Sequence, residues 1–410
     1  MIAEAVTRDG FRGLDPCVHC GFCLQACPTF LATGDEADSP RGRIELMRAL
    51  ERGDLSPADL SLASHLDRCL GCRGCEPVCP SGVEYGHGLE AARGVIARQR
   101  GVPLLARLAL WTLTGPGSRL VYSLARLLRR TGLPAWLAGW DRARFAMGML
   151  AATAPSRNAE RGTRNRRGVS RSAVLFRGCV MDGLFSHVHD ATIRVLQANG
   201  YAVREVAGQA CCGALHAHAG LDDAARALAR ANLRAFGEGD DPIVVNSAGC
   251  GALMKEYGRL TGDAAGARFG ARVRDVSELL ASAGPASGAP LAKRVAYDPP
   301  CHLLHAQRVA LPPLALLGAI PNLDLRSAPD AAQCCGSAGL FTLVEPGMSR
   351  AVLAPKLASI RALDVEVVAT GNPGCLMQLG AGLRAAGIRT EVRHPVELLD
   401  QSYRAAGRYG

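Results

Sequence analysis

From about residue 173 onward, short apolar runs alternate with longer amphipathic stretches. Ser172-Ala-Val-Leu-Phe176, Tyr201-Ala-Val-Arg-Glu-Val206 and Pro242-Ile-Val-Val-Asn-Ser247 are rich in β-branched residues and predict strands. Asp223–Phe236 spaces alanine, leucine and arginine at helical intervals and predicts a helix. Strand and helix in alternation predict parallel α/β units. Nearer the amino terminus the texture differs. Ile44–Gly53 reads as a helix set between two cysteine-rich runs. Val102–Arg130 places leucines at helical spacing with arginines among them, but Arg107, Pro116 and Arg119 interrupt it. It therefore falls short of the ~20 apolar residues that span a bilayer. It predicts an amphipathic helix pair packed against the rest; the competing reading is a basic helix on an anionic membrane or a partner.

The α/β region is duplicated. Its first half carries Cys179, Cys211-Cys212-Gly213 and Cys250; its second carries Cys301, Cys334-Cys335-Gly336 and Cys375. Equivalent cysteines lie 122 (179 to 301), 123 (212 to 335) and 125 (250 to 375) residues apart. Each group follows an expected strand, as in Arg294-Val-Ala-Tyr and Val365-Glu-Val-Val, and strand ends are where α/β folds build sites. The organisation expected is a helical module over 1–100, helices and an arginine-rich linker over 101–172, and two α/β repeats over 173–290 and 291–410.

Composition adds to this picture. The chain has 410 residues, 48% hydrophobic and 20% charged, which is globular and long enough for two or three domains. The start, MIAEAVTRDG, lacks the apolar core of a secretory signal, so a cytoplasmic protein with reduced thiols is expected. Sixteen cysteines in such a chain point to metal rather than disulfides. The net charge of +10 is concentrated in residues 156–171, where six arginines accompany one glutamate. That block reads as a solvated linker; no aromatic residues interleave to stack bases, so no nucleic-acid partner is expected.

The amino-terminal cysteines carry the most specific pattern. Cys17, Cys20, Cys23 and Cys27-Pro28 repeat as Cys69, Cys72, Cys75 and Cys79-Pro80. Zinc sites bring together two separated pairs, whereas three cysteines at every third position, then a fourth before proline, is the spacing of two-cluster ferredoxins. In that arrangement the fourth cysteine serves the other cluster. The expected sets for two [4Fe–4S] clusters are Cys17, Cys20, Cys23 with Cys79, and Cys69, Cys72, Cys75 with Cys27. Pro28 and Pro80 suit the first position of a following helix, and Gly21, Gly71 and Gly74 let backbone approach sulfur. His19 lies in the first loop, where it shapes polarity. Gly86-His-Gly88 follows a cysteine cluster rather than a strand and is no dinucleotide loop.

The Cys-Cys-Gly pattern resembles the repeated domain of heterodisulfide reductases. In the fullest form of that domain each repeat ends in C-x-x-C, but here Ser247 and Asn372 replace the first cysteine of each pair. A four-thiolate cluster, zinc or a metal-free redox thiol site all remain open for Cys179, Cys211, Cys212 and Cys250, and for Cys301, Cys334, Cys335 and Cys375. His302 and His305 are candidates to assist the second site as ligand or proton donor, ahead of His216 and His218 at the first. The whole chain resembles the iron–sulfur subunit of glycolate oxidase. The likeness rests on CVHCGFC from Cys17, GDEADSPRGRIELM from Gly34, HLDRCLGCRGCEPVCPSGVEY from His65, CCGA from Cys211, SAGCGALMKEYG from Ser247, CHLLHAQ from Cys301 and CCGSAG from Cys334. Arg41 and Arg43, the basic pair of the hallmark Ser39-Pro-Arg-Gly-Arg-Ile, are either near cluster sulfur or solvated.

The resemblance implies an electron-transfer subunit with no catalytic residue of its own. A separate FAD subunit would oxidise glycolate to glyoxylate, and electrons would leave for a quinone, with peripheral contact at the inner face of the cell membrane. Related lactate or glycerol-3-phosphate dehydrogenases share the parts. A disulfide or quinone reductase acting at the Cys-Cys-Gly site is the second reading, and a zinc scaffold the third.

Overall fold

The computed structural model describes residues 10–155 and 171–409. The readings made on the first nine residues and on the arginine-rich segment 156–170 lie outside the described residues.

Two four-stranded parallel sheets form the carboxyl-terminal region. The first holds β1 (Arg171–Leu175), β2 (Tyr201–Glu205), β3 (Ile243–Val245) and β4 (Val273–Asp275) in the order β2-β1-β3-β4. The second holds β5 (Arg294–Tyr297), β6 (Asp324–Arg326), β7 (Val367–Ala369) and β8 (Glu391–Arg393) in the order β6-β5-β7-β8. The expected duplication is therefore one of topology as well as of cysteines. All residues of β3 and β7 are buried, as parallel strands covered on both faces require. In each sheet the chain leaves the first strand toward one edge and returns past it to the other. The carboxyl ends of β1 and β3, and of β5 and β7, thus flank a switch point where a crevice opens. The two repeats share one core, in which Val188 and Val244 join Leu317 and Leu399, and Arg194 bonds Asp400 through two 2.8 Å contacts.

The amino-terminal module is helical, with helices Pro28–Thr33, Pro40–Arg52, Leu60–Asp67 and Tyr85–Arg100. Pro40–Arg52 contains the expected Ile44 helix. Ser39 caps it by accepting the Gly42 N–H at 2.9 Å, Pro40 fixes its first turn, and its buried face is Ile44, Met47 and Leu50. A helix does start at Pro28, but Pro80 sits in a turn and the next helix begins only at Tyr85.

The helices Leu104–Thr114, Ser118–Arg130, Leu133–Leu137 and Arg142–Ala152 follow and lie against both repeats. Tyr122 presses on Gly183, where any side chain would meet its ring at 2.4 Å, and Ala152 crosses Gly380 as closely. Ala106, Leu110 and Tyr122 pack as expected, but the leucine rows on the opposite sides of these helices are exposed. Among the described residues, no helix is long and apolar enough to cross a membrane.

Candidate metal centres

All sixteen cysteines are free thiols, and the structure collects them in two places. The ferredoxin loops share one backbone course. Residues 19 and 71 have φ of 55° and 60°, and residues 21 and 73 have φ of 85° and 60°. Each pair flanks the second cysteine of its run in the left-handed region. Glycine takes the strain at Gly21 and Gly71; His19 and Arg73 bear it. Gly74 carries no such strain, and a Cβ there would meet Ala26 O at 3.4 Å and His305 Nε2 at 3.5 Å, ordinary contact distances.

Cys17, Cys20 and Cys23 share a small hollow with Cys79 and Pro80, whose wall Cys75 also reaches. Cys20 is exposed, and beside it Val18 and Phe22 are 68% and 67% exposed. The second set is deeper, with Cys27, Cys69 and Cys75 buried. Burial pushes the Cys75 thiol well up, and neighbouring Cys72, Cys69 and Cys27 push it further. A bound cationic centre would hold the Cys75 sulfur as thiolate against these effects. Each set supplies the four soft donors that a [4Fe–4S] cluster takes, so the residues present fit the group.

Charged residues distinguish the two sets. Arg41 is half-buried; it pairs with Glu36 at 2.8 Å and donates to His19 O at 3.2 Å. Arg43 is wholly buried and donates to His65 O (2.7 Å), Thr29 Oγ1 (2.9 Å) and Asp38 O (2.5 Å), and its Nη2 lies 3.2 Å from Asp38 Oδ1. The basic pair thus splits, one arginine to each loop. Burial alone would raise the Cys69 thiol, but Arg43 and Arg93 nearby outweigh it, and Tyr85 OH adds a 3.5 Å bond, so Cys69 lies below the usual thiol range. Thr29 Oγ1 stands 3.2 Å from Cys27 Sγ. Thr29, Asp38, Tyr85 and Arg93 carried no signal in the sequence; for Arg43 the Ser39-Pro-Arg-Gly-Arg-Ile run was the only one.

All eight Cys-Cys-Gly cysteines line a single cavity of about 140 Å³ between the repeats. The sulfurs of Cys179 and Cys211 are 3.5 Å apart, those of Cys301 and Cys334 3.9 Å, and those of Cys335 and Cys375 3.3 Å. The glycines earn their place: Gly213 and Gly336 have φ of 92° and 82°, and a Cβ on Gly336 would meet Ser349 O at 2.6 Å. Bonds from Cys179 and Cys212 hold the Cys211 thiol well down, and bonds from Cys334 and Cys375 do the same for Cys335. His302 joins this cavity, with Nδ1 3.5 Å from Cys301 Sγ and Nε2 buried without a partner among the described residues. His218 also lines it, its ring 5.2 Å from that of His302. His305 instead bonds Ala332 O at 2.9 Å, and His19 pairs with Glu45 at 3.1 Å.

The replaced cysteine positions meet each other. Ser247 Oγ lies 3.5 Å from Asn372 Oδ1, which also accepts the Gly249 N–H at 3.1 Å; Ala248 N–H donates to Gly371 O at 3.1 Å.

The two cysteine regions are in contact. Cys72 lies near enough to Cys301 that its charge, after burial, is the main cause raising the Cys72 thiol; Leu70, Cys301 and Cys334 share one apolar cluster. The first repeat grips the ferredoxin module through charge. Arg73 pairs with Glu256 at 2.5 Å, Arg259 with Glu90 at 2.6 Å, and Arg93 donates to His218 O at 3.2 Å. Burial pushes the Glu256 carboxyl up, but His87, Arg73 and Arg259 together hold it far below the usual range. A second cavity, of about 290 Å³, lies at this junction and is walled by Cys69, Leu70, Val102, Ala106 and Leu340.

The family model for a 4Fe-4S dicluster domain matches residues 13–83, and that for a Cysteine-rich domain matches 173–255 and 295–380. The probable glycolate oxidase iron-sulfur subunit of Bacillus subtilis is 35% identical, over 95% of this chain and 94% of its own length. The chain belongs to the glycolate oxidase iron–sulfur subunit family. The glycolate oxidase iron-sulfur subunit of Escherichia coli is 32% identical over 98% of this chain and 96% of its own. More distantly, a subunit of the fumarate reductase (CoM/CoB) of Methanothermobacter marburgensis is 28% identical over 96% of this chain and 73% of its own. In this member of the glycolate oxidase iron–sulfur subunit family, the match to the Cysteine-rich domain covers both repeats that face each other across the cavity.

Proposed function

We propose that this chain is the electron-transfer subunit of a glycolate-oxidising complex, taking electrons from an FAD partner and delivering them to a quinone. Two [4Fe–4S] clusters, on Cys17, Cys20, Cys23, Cys79 and on Cys69, Cys72, Cys75, Cys27, would supply one-electron chemistry. The observation that carries this reading is a graded path. Cys20 is open at the surface beside Val18 and Phe22, where a partner can approach, whereas Cys72 is half-buried against the cluster that holds Cys301. The 290 Å³ cavity supports the quinone acceptor, because a ligand in it touches Cys69 and a wall that sets Leu70, Val102 and Leu340 beside polar groups such as Arg93 and His218. This chain's residues hold and tune the centres; the oxidation of the hydroxy acid belongs to the partner.

Iron, acid-labile sulfide and zinc per chain, on protein purified without oxygen, test the first step. About eight irons are expected, two cubanes' worth; zinc with little iron would overturn the reading. With the FAD partner added, glycolate should bleach the clusters, and bleaching by lactate alone would reassign the substrate. The cavity lined by all eight Cys-Cys-Gly cysteines favours a second reading, reduction of a disulfide or quinone between the repeats. Clearly more than eight irons would favour it.

A further inference from the structure

Between Glu90 and Asp141 the chain has eight arginines and no carboxylate. The helices Leu104–Thr114 and Ser118–Arg130 hold five of those arginines and are anchored inward through Ala106, Leu110 and Tyr122. Their other sides are apolar and open. Leu104, Leu108 and Trp111 follow one helical face and are 79%, 54% and 59% exposed. Leu120, Leu124 and Leu127 repeat the spacing on the adjoining helix at 66%, 57% and 61%, and Trp136 follows at 78%. Single exposed leucines are ordinary on a protein surface, but two such rows side by side are not.

The two helices themselves carry charge of one sign; the nearby acids Asp182 and Glu345 belong to neighbouring segments, and Asp182 is paired with Arg177 at 2.7 Å. Arg107, Arg119 and Arg130 are exposed, while Arg126 and Arg129 turn inward onto Gly183 O and Thr153 O. A protein partner is ordinarily met by both signs in a polar rim. Leucine rows edged by arginine, with tryptophan at the margin and no acid on either helix, match a helix lying in a headgroup layer. We infer that this face docks on an anionic phospholipid bilayer, with both helices in the plane of the interface. The inference rests on the quinone reading only for its purpose. Val102, Pro103 and Ala106, at the start of the first docking helix, also wall the cavity that reaches Cys69, so docking sets that cavity beside the lipid.

Flotation of the full-length chain with vesicles tests this without partner, substrate or quinone. The chain should float with phosphatidylglycerol–phosphatidylcholine vesicles and not with pure phosphatidylcholine, and salt should weaken the binding. Tryptophan emission should shift to the blue on binding. The triple variant Arg107→Glu, Arg119→Glu, Arg130→Glu should bind at least about tenfold more weakly, and Leu120→Gln, Leu124→Gln, Leu127→Gln should remove the emission shift. Unchanged circular dichroism in both shows that the fold survives. Absence of flotation on anionic vesicles, or flotation indifferent to both variants, overturns the inference. Protection of residues 104–136 by a purified FAD partner instead of vesicles would assign the face to that protein and also overturn it. Vesicle binding with no quinone reduction would leave the docking standing and defeat the acceptor reading alone.

Discussion

The two ferredoxin loops follow the same backbone course, left-handed at 19 and 71 and again at 21 and 73, yet they sit in different surroundings. The first is wetted at Cys20 and edged by the half-buried Arg41; the second is packed over Arg43 and abuts Cys301. A loop fixes which metal is held, while its environment fixes how readily an electron is accepted, because burial and nearby charge weigh on the reduced, more negative state. One sequence pattern used twice therefore need not give one function twice.

Exchanging a ligand tests whether the loops are separate centres. Cys79→Ser should disturb the EPR signal of the set made by Cys17, Cys20 and Cys23; loss confined to the other signal would reject the cross-pairing. Arg43→Met should cost about 1–3 kcal/mol, since Thr29 Oγ1 and the Asp38 and His65 carbonyls lose a buried donor while Asp38 keeps His65 at 3.0 Å and Arg68 at 3.4 Å, and should lower the potential of the inner set alone. Chemical denaturation and a redox titration check the two halves of that expectation. If Arg41→Met, at the exposed loop, lowers the outer potential by as much, the contrast between loops fails.

Smaller effects sharpen the contact between the inner loop and the repeats. Glu256→Gln removes the charge that Arg73, His87 and Arg259 share. With side chains 16–41% exposed the cost should be about 1–2 kcal/mol, below that of a fully buried pair. Loosened docking should appear as faster hydrogen exchange at Cys69–Cys75. The same contact has a pH signature. The bond to Glu256 raises the pKa of His87, so its contribution is complete below the ordinary histidine value and fades as pH climbs through the raised one. Docking should therefore be slightly firmer at pH 6 than at pH 8, and exchange rates in the Glu256→Gln variant should lose that difference.

Much of this architecture was legible in advance because it rests on strong local signals. The interior strands β1, β3, β5 and β7 are apolar runs, and the cysteine spacing is tied to cluster geometry. The edge strands β4, β6 and β8 were missed. Each is three residues with charged members, as in Asp324-Leu-Arg326, and edge pairing rather than composition makes them strands. Arg43 was hard to place because an arginine defaults to solvent; only its neighbours, brought in from positions 29, 38 and 65, show that it is buried and satisfied. The single cavity shared by both Cys-Cys-Gly sites depends on how the repeats face each other, which no local pattern encodes.

That facing arrangement constrains redesign. Ser247 and Asn372 occupy the two places where a further ligand would enter, and each is already engaged with the other across the seam. Installing cysteine at Asn372 alone would leave the Gly249 amide without its acceptor before any fifth sulfur could be recruited. A designer wishing to enlarge either centre must rewrite both repeats together, as one would recut both halves of a mortise joint.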